Sequence, residues 1–341
     1  MMIAVNFHYV RPVFDGRYEA IYGSTPAEFA EQLETLGGIG TFVSADEVRD
    51  AVQGRTTLPT RAIVITIDDG LREQYEHAWP VLTRLSVPAI FYVNTAPIIE
   101  GRVSSVHKIH LLRSELAPAD FVALLRRYAA DDGIDLGRPV DPARALLQYE
   151  YDTEEVACLK FLLNLILTSD QRDRLIECAF EAVFPGGEPS ISHRLYMDGS
   201  QLRELGRHRV LGTHGHEHLP LGSLDAARAK EQLRVSMQHL ESAIGYRPFT
   251  LSYPFGEHDA CSPDAAAAAA ALGIEFAFTM ERAANHDMRA PLHLARFDSN
   301  DAPGGKRPYW PAAEFFDRAP AAAWHRISRD RATSALSGAA R

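Results

Sequence analysis

Two short stretches, far apart in a chain of 341 residues, carry side chains of the kinds that do chemistry. The first is Asp68-Asp69-Gly70, which ends the apolar, β-branched run Ala62-Ile63-Val64-Ile65-Thr66-Ile67. Adjacent like charges repel, so two carboxylates at the lip of a buried strand serve stability poorly, and strand ends are where α/β folds place reacting groups. The competing reading is a plain polar turn, because Asp-Gly is a common turn pair. The second stretch is His214-Gly215-His216-Glu217-His218, three imidazoles in five positions. A lone core histidine is ordinarily a hydrogen-bonded structural group, whereas three together are costly to bury unless something binds their lone pairs. Histidines two apart face one ion from an extended segment and histidines four apart from a helical turn, so spacing alone leaves the ligand pair open. The metalloprotease pattern His-Glu-x-x-His is excluded, since Pro220 stands where its second histidine belongs. If the two strand ends converge, one carboxylate and two imidazoles make a three-ligand set with a position left for water. The second carboxylate is then a general base, and the whole is a kit for metal-assisted hydrolysis.

The elements that must position these residues alternate in type. Ile3 to Tyr9 is a first strand with His8 near its end, and Ser24-Thr25-Pro26 opens a helix over about 27–36 that stops at Gly37-Gly38. Thr41 to Val43 is a short strand, and the strand at 62–67 is followed by a helix over 72–85 that Pro80 kinks. Pro88 to Val93 is another buried strand, an alternation that argues for parallel strands with helical crossovers. Between residues 101 and 199 helical periodicity takes over, at 120–128, 153–167 and 170–184, with no strand signal. Strands return at 209–213, 249–253, 275–279 and 292–297, with helices at 223–244 and over the seven alanines after Ser262-Pro263-Asp264. The expected organisation is a barrel from 1–100 and 201–300, a helical insertion at 101–200 and an extension at 301–341. The tail beyond about Pro320 is expected to be loosely held or helical at most.

Composition narrows the function class. A net charge of −10 offers no basic footprint for nucleic acid or an anionic membrane surface. Three cysteines without Cys-x-x-Cys spacing give neither a disulfide framework nor a zinc ribbon. The N-terminus lacks a basic leader with a long apolar core, and no apolar stretch is long enough to span a bilayer, so a cytoplasmic protein is expected.

Three motifs, in order, make the sequence recognisable: Thr66-Ile67-Asp68-Asp69-Gly70, His214-x-x-x-His218 followed by Leu219-Pro220-Leu221, and Tyr253-Pro254-Phe255-Gly256. They resemble the NodB-homology polysaccharide deacetylases, metal-dependent carbohydrate esterases with a distorted (β/α) barrel. The resemblance spans about 3–10, 62–95 and 201–297 and leaves the insertion and the tail unexplained. It implies Asp68 as catalytic base and Asp69, His214 and His218 as ligands of a divalent metal ion, zinc by default. His216 is then outside the ligand set or solvent-facing. The backbone amide of Phe255 is implied as an oxyanion donor, a role whose loss costs about 3–4 kcal/mol. For the general acid, His8 matches a Tyr-His position that some branches place at the N-terminus, with His293 as competitor. The chain departs from the pattern at Gly215, where a serine or threonine is usual, and lacks the arginine that many members place before the third motif. Arg296 is the candidate to hold Asp68 instead, since a guanidinium fixes a carboxylate bidentately.

The resulting expectation is hydrolysis of an N-acyl group, first of all N-acetyl, from an amino sugar or saccharide, for instance a surface-polysaccharide precursor. Rival readings are a non-catalytic saccharide-binding barrel and a deformylase or other amidase with the same metal site. The expected partner is a saccharide or sugar-linked small molecule, with no nucleic acid.

Overall fold

A computed structural model describes residues 1–137, 139–149 and 152–324. In chain order these form β1 (Met2–Phe7), α1 (Pro26–Gly37), β2 (Thr41–Phe42), α2 (Ala45–Val52), β3 (Ala62–Ile67), α3 (Trp79–Leu85), β4 (Ala89–Val93) and α4 (Ala96–Glu100). Six helices follow: α5 (Ser105–Glu115), α6 (Pro118–Asp131), α7 (Pro142–Gln148), α8 (Glu154–Phe161), α9 (Ser169–Val183) and α10 (Glu188–Leu195). The chain continues with α11 (Gly199–Arg207), β5 (Leu211–Thr213), α12 (Ala226–Ile244), β6 (Thr250–Ser252), α13 (Pro263–Ala271), β7 (Phe276–Phe278), β8 (Phe297–Asp298) and α14 (Phe315–Arg318). Two compact units result, one of residues 1–12, 23–100 and 193 onward, the other of residues 13–22 and 101–192.

The first unit is a curled parallel sheet in the order β7-β6-β5-β4-β3-β1-β8, with β2 beside the start of β3. This is the distorted (β/α) barrel expected from the sequence. Both faces of its strands are buried, which is why β3 reads as an unbroken apolar run. Ile63, Ile65 and Ile67 face outward with Ile3, Val5 and Phe7, under Phe29 and Leu33 of α1 and Val81 and Leu82 of α3. Ala62 and Val64 face inward with Met2, Ala4, Ile90, Tyr92 and Phe278. Every strand pair in the sheet is parallel, so all C-terminal lips lie on one side.

Several local expectations are corrected. The helix after Gly70 runs over 72–85 as expected, but it is not α-helical throughout. Gln74–Ala78 is one π turn inside it, and Trp79–Leu85 continues as α3; the wide turn stands just ahead of Pro80, whose missing N–H interrupts the α-helical ladder. The expected strand at 292–297 shrinks to Phe297–Asp298, because Pro291–His293 turns as a 3-10 helix. Residues beyond 300 also contribute to the barrel core, through Ala302, Phe315, Phe316 and Ala319. Of the tail expected to be loosely held, 325–341 lie outside the described residues.

In the second unit, α9 packs against α5 and α6. The buried Lys108 ammonium on α5 meets Glu177 at 2.5 Å and Glu188 at 2.9 Å. Ala145, Ala157 and Phe161 form a small separate core. No described helix is long and apolar enough to cross a membrane.

Candidate active site

The inward alternation of β1 and β3 sets the first part of the site. Asn6 follows Met2 and Ala4, while Thr66 and then Asp68 follow Ala62 and Val64, so polar groups take over the interior positions toward the lip. Arg296, 1% exposed, crosses to them from the residue before β8. Its two terminal nitrogens fork onto Asp68, Nη1 to Oδ1 at 3.0 Å and Nη2 to Oδ2 at 2.6 Å. Its remaining donors reach Asn6 Oδ1 at 2.9 Å, Ser252 Oγ at 2.7 Å and the Thr279 carbonyl at 3.1 Å. Asp68 Oδ2 also accepts from Asn6 Nδ2 and Ser252 Oγ. Burial by itself raises the Asp68 carboxyl, yet the Arg296 guanidinium beside it carries it below the ordinary carboxylate value. Asp68 is therefore a fixed anion. Behind it, the carboxamide of buried Gln74 donates to the His8 and Asp68 carbonyls, tying the ends of β1 and β3 together.

Asp69 has a left-handed backbone, with φ 86°. Its Oδ1 lies 3.6 Å from His214 Nε2 and 3.4 Å from His218 Nε2. All three donor atoms fall within 4.8 Å of one another, and all three residues are buried. Two donors each about 2.1 Å from one tetrahedral ion are about 3.4 Å apart, so the spacing suits a shared cation. The tautomer suits it as well. His214 Nδ1 donates to the Ser252 carbonyl at 2.7 Å, which leaves the Nε2 lone pair facing Asp69. Burial holds this imidazole neutral by pushing its pKa down to about 4, against the pull of Asp68. The donor set thus fits a divalent metal ion.

Of the remaining candidates, His8 is half-buried at the end of β1, near enough to Asp68 for its charge to stabilise that carboxylate. His293 is held elsewhere, with Nε2 3.1 Å from the Cys261 carbonyl and its ring stacked on Tyr253. Phe255 has a left-handed φ of 63° and is 44% exposed, its ring 4.9 Å from that of His218. His216 neither joins the donor set nor faces solvent. Its Nδ1 is 2.9 Å from Thr95 Oγ1 and its Nε2 3.0 Å from Glu100 Oε1. Sequence reading passed over Asn6, Ser252, Thr95 and Glu100. Asn6 was findable, being a polar residue at an inward position of an otherwise apolar strand.

Comparisons with known proteins give likenesses of sequence and of fold. The sequence pattern of the polysaccharide deacetylase family matches residues 193–277, the stretch that carries His214, His218 and Phe255. No curated protein matches the chain. Among solved structures, the Streptococcus pyogenes deacetylase PplD in complex with acetate is 14% identical, with a TM-score of 0.52 over 87% of this chain and 91% of that one. IcaB from Ammonifex degensii is 18% identical, with a TM-score of 0.51 over 87% and 90%. A de-N-acetylase from Aggregatibacter actinomycetemcomitans is 14% identical, with a TM-score of 0.52 over 87% and 95%. At these identities the likeness is one of fold. In sequence over 193–277 and in fold over most of its length, the chain is similar to the polysaccharide deacetylases.

Proposed function

We propose that the chain is a metal-dependent hydrolase that removes an N-acyl group, N-acetyl first of all, from an amino sugar or saccharide. One observation supports this above the rest: a carboxylate clamped by a buried arginine stands beside a separate Asp-His-His donor set. Asp69, His214 and His218 would hold a divalent cation, zinc by default, which when bound supplies a Lewis acid and makes water more acidic. Asp68 is the base. Arg296, Asn6 and Ser252 hold its carboxylate in place, and its Oδ2 lies 3.9 Å from His214 Nε2, at the edge of the donor set where a water proton would be taken. The Phe255 backbone N–H, on a left-handed turn at the lip of β6, is the donor assigned to the developing oxyanion. A protonated His8 is assigned to give its proton to the leaving amine. The match over 193–277 supports the carbohydrate class, and the substrate is read as a saccharide or a sugar carried on a nucleotide or lipid.

The test is acetate release from N-acetylated saccharides with and without a chelator. Asp69→Ala or His214→Ala should abolish metal retention, while Asp68→Asn should keep the metal and lose turnover by at least about a hundredfold. Normal turnover in Asp68→Asn, or full metal content in the other two, overturns the assignment. Acetate rather than formate among the products separates a deacetylase from a deformylase, and no released acid at all favours a saccharide-binding barrel.

A further inference from the structure

We propose that His216, the middle imidazole of the His214–His218 loop, is a positioning residue. It sets the two flanking histidines for the metal by anchoring the loop to Glu100 and Thr95. The inference rests on the reading of Asp69, His214 and His218 as a metal set, and it explains why a third histidine stands where only two can serve as ligands.

Between the end of β5 at Thr213 and the turn at Leu221 the chain forms no regular element. The loop also carries backbone strain at the non-glycine His218, whose φ is 59°. Backbone of this kind persists only where its surroundings over-determine it. His216 supplies that determination. Its side chain is 11% exposed, and both ring nitrogens are engaged. The neutral ring satisfies both contacts, Nε2–H donating to the Glu100 carboxylate and Nδ1 accepting the Thr95 hydroxyl. The same short stretch of chain binds the loop's backbone. The Thr95 N–H donates to the Gly215 carbonyl at 3.3 Å, and the Ala96 N–H to the His216 carbonyl at 3.0 Å. His239 of α12 stacks on the ring at 6.0 Å. These contacts lie outside the Asp69, His214 and His218 donor set, so His216 acts through its neighbours. Groups that orient metal ligands typically contribute about ten- to a hundredfold in affinity.

The test titrates zinc alone into chelator-stripped protein by calorimetry, beside thermal unfolding of the same stripped samples. His216→Ala and Glu100→Ala should each weaken zinc binding about ten- to a hundredfold. The double variant should be no weaker than His216→Ala, since both break one contact. Glu100→Gln should recover most of the affinity, because its amide oxygen still accepts the Nε2–H. The Glu100 side chain is 38% exposed, so its variants should leave the stripped protein's melting unchanged and decide the matter even if His216→Ala fails to fold. Wild-type zinc affinity in Glu100→Ala, with Asp69→Ala abolishing it, overturns the positioning role alone. No zinc uptake by the unaltered chain overturns the metal reading, and the positioning role with it.

Discussion

At the scale of single residues, the site depends on one charge pair withdrawn from water. Asp68 and Arg296 are both about 1% exposed and bonded through a two-pronged contact. Removing one member of such a pair leaves the other charge buried, a loss of about 3–5 kcal/mol. Arg296→Met should therefore destabilise the chain by about that amount in denaturant titrations. Adding Asp68→Asn should cost far less than a second loss of the same size, because the stranded carboxylate is gone. Strict additivity would show that the pair does not act as a unit. This part of the site was legible in the sequence to a useful depth. The adjacent carboxylates and the paired imidazoles stand out by residue type, whereas an arginine beside Asp68 was suggested only by the family resemblance. Ser252 was not legible, because a serine in a three-residue strand gives no sign of facing a carboxylate 184 positions away.

At the scale of elements, caps and turns carried most of the readable information and inward-facing polar residues hid the rest. The Ser262 and Thr25 caps and the Gly245 stop of α12 were legible because each satisfies orphan groups by local sequence alone. Helix α5 was missed for a physical reason. The residues it buries are His107, Lys108, Leu112 and Ser114, so it has no apolar stripe to detect. Helix α2 was overlooked although Ser44 and Glu47 form a complete capping box. Two element-level predictions follow from the same reasoning. Ser86 ends α3 in a left-handed conformation at φ 54°, so Ser86→Gly should raise stability by about 0.5–1 kcal/mol in urea unfolding. Asp198 caps α11, and hydrogen bonds from Ser200 and Gln201 with Arg72 nearby outweigh partial burial to hold its carboxyl down at about 2. Its folded pKa lies below the unfolded value of about 3.9, so its contribution is present above pH ~4 and is lost as pH falls toward 2. Solvent screening keeps that contribution under about 1 kcal/mol, as the side chain is 37% exposed. Asp198→Asn should flatten this part of the stability–pH curve while leaving the helix capped.

At the scale of the whole molecule, two units with separate cores should unfold as two events. Metal taken up by Asp69, His214 and His218 belongs to the first unit alone. Calorimetry with and without excess zinc should move one transition and leave the other in place. The shift should correspond to about 2.7 kcal/mol at a hundredfold excess over the dissociation constant. A single transition moving as a whole would mean that the units unfold together. The division into barrel and inserted helices was visible as a change of periodicity, whereas the role of the chain beyond residue 300 was not. The carboxylate of Glu281, 7% exposed, accepts the backbone N–H groups of Ala323 and Trp324, while Ala284 pairs with Pro320 and Ala322 on either side. Any shortened version of the protein should therefore keep residues 320–324: cutting ahead of Pro320 strips an interior anion of both amide donors and unpicks a clasp that fastens this segment to the barrel wall.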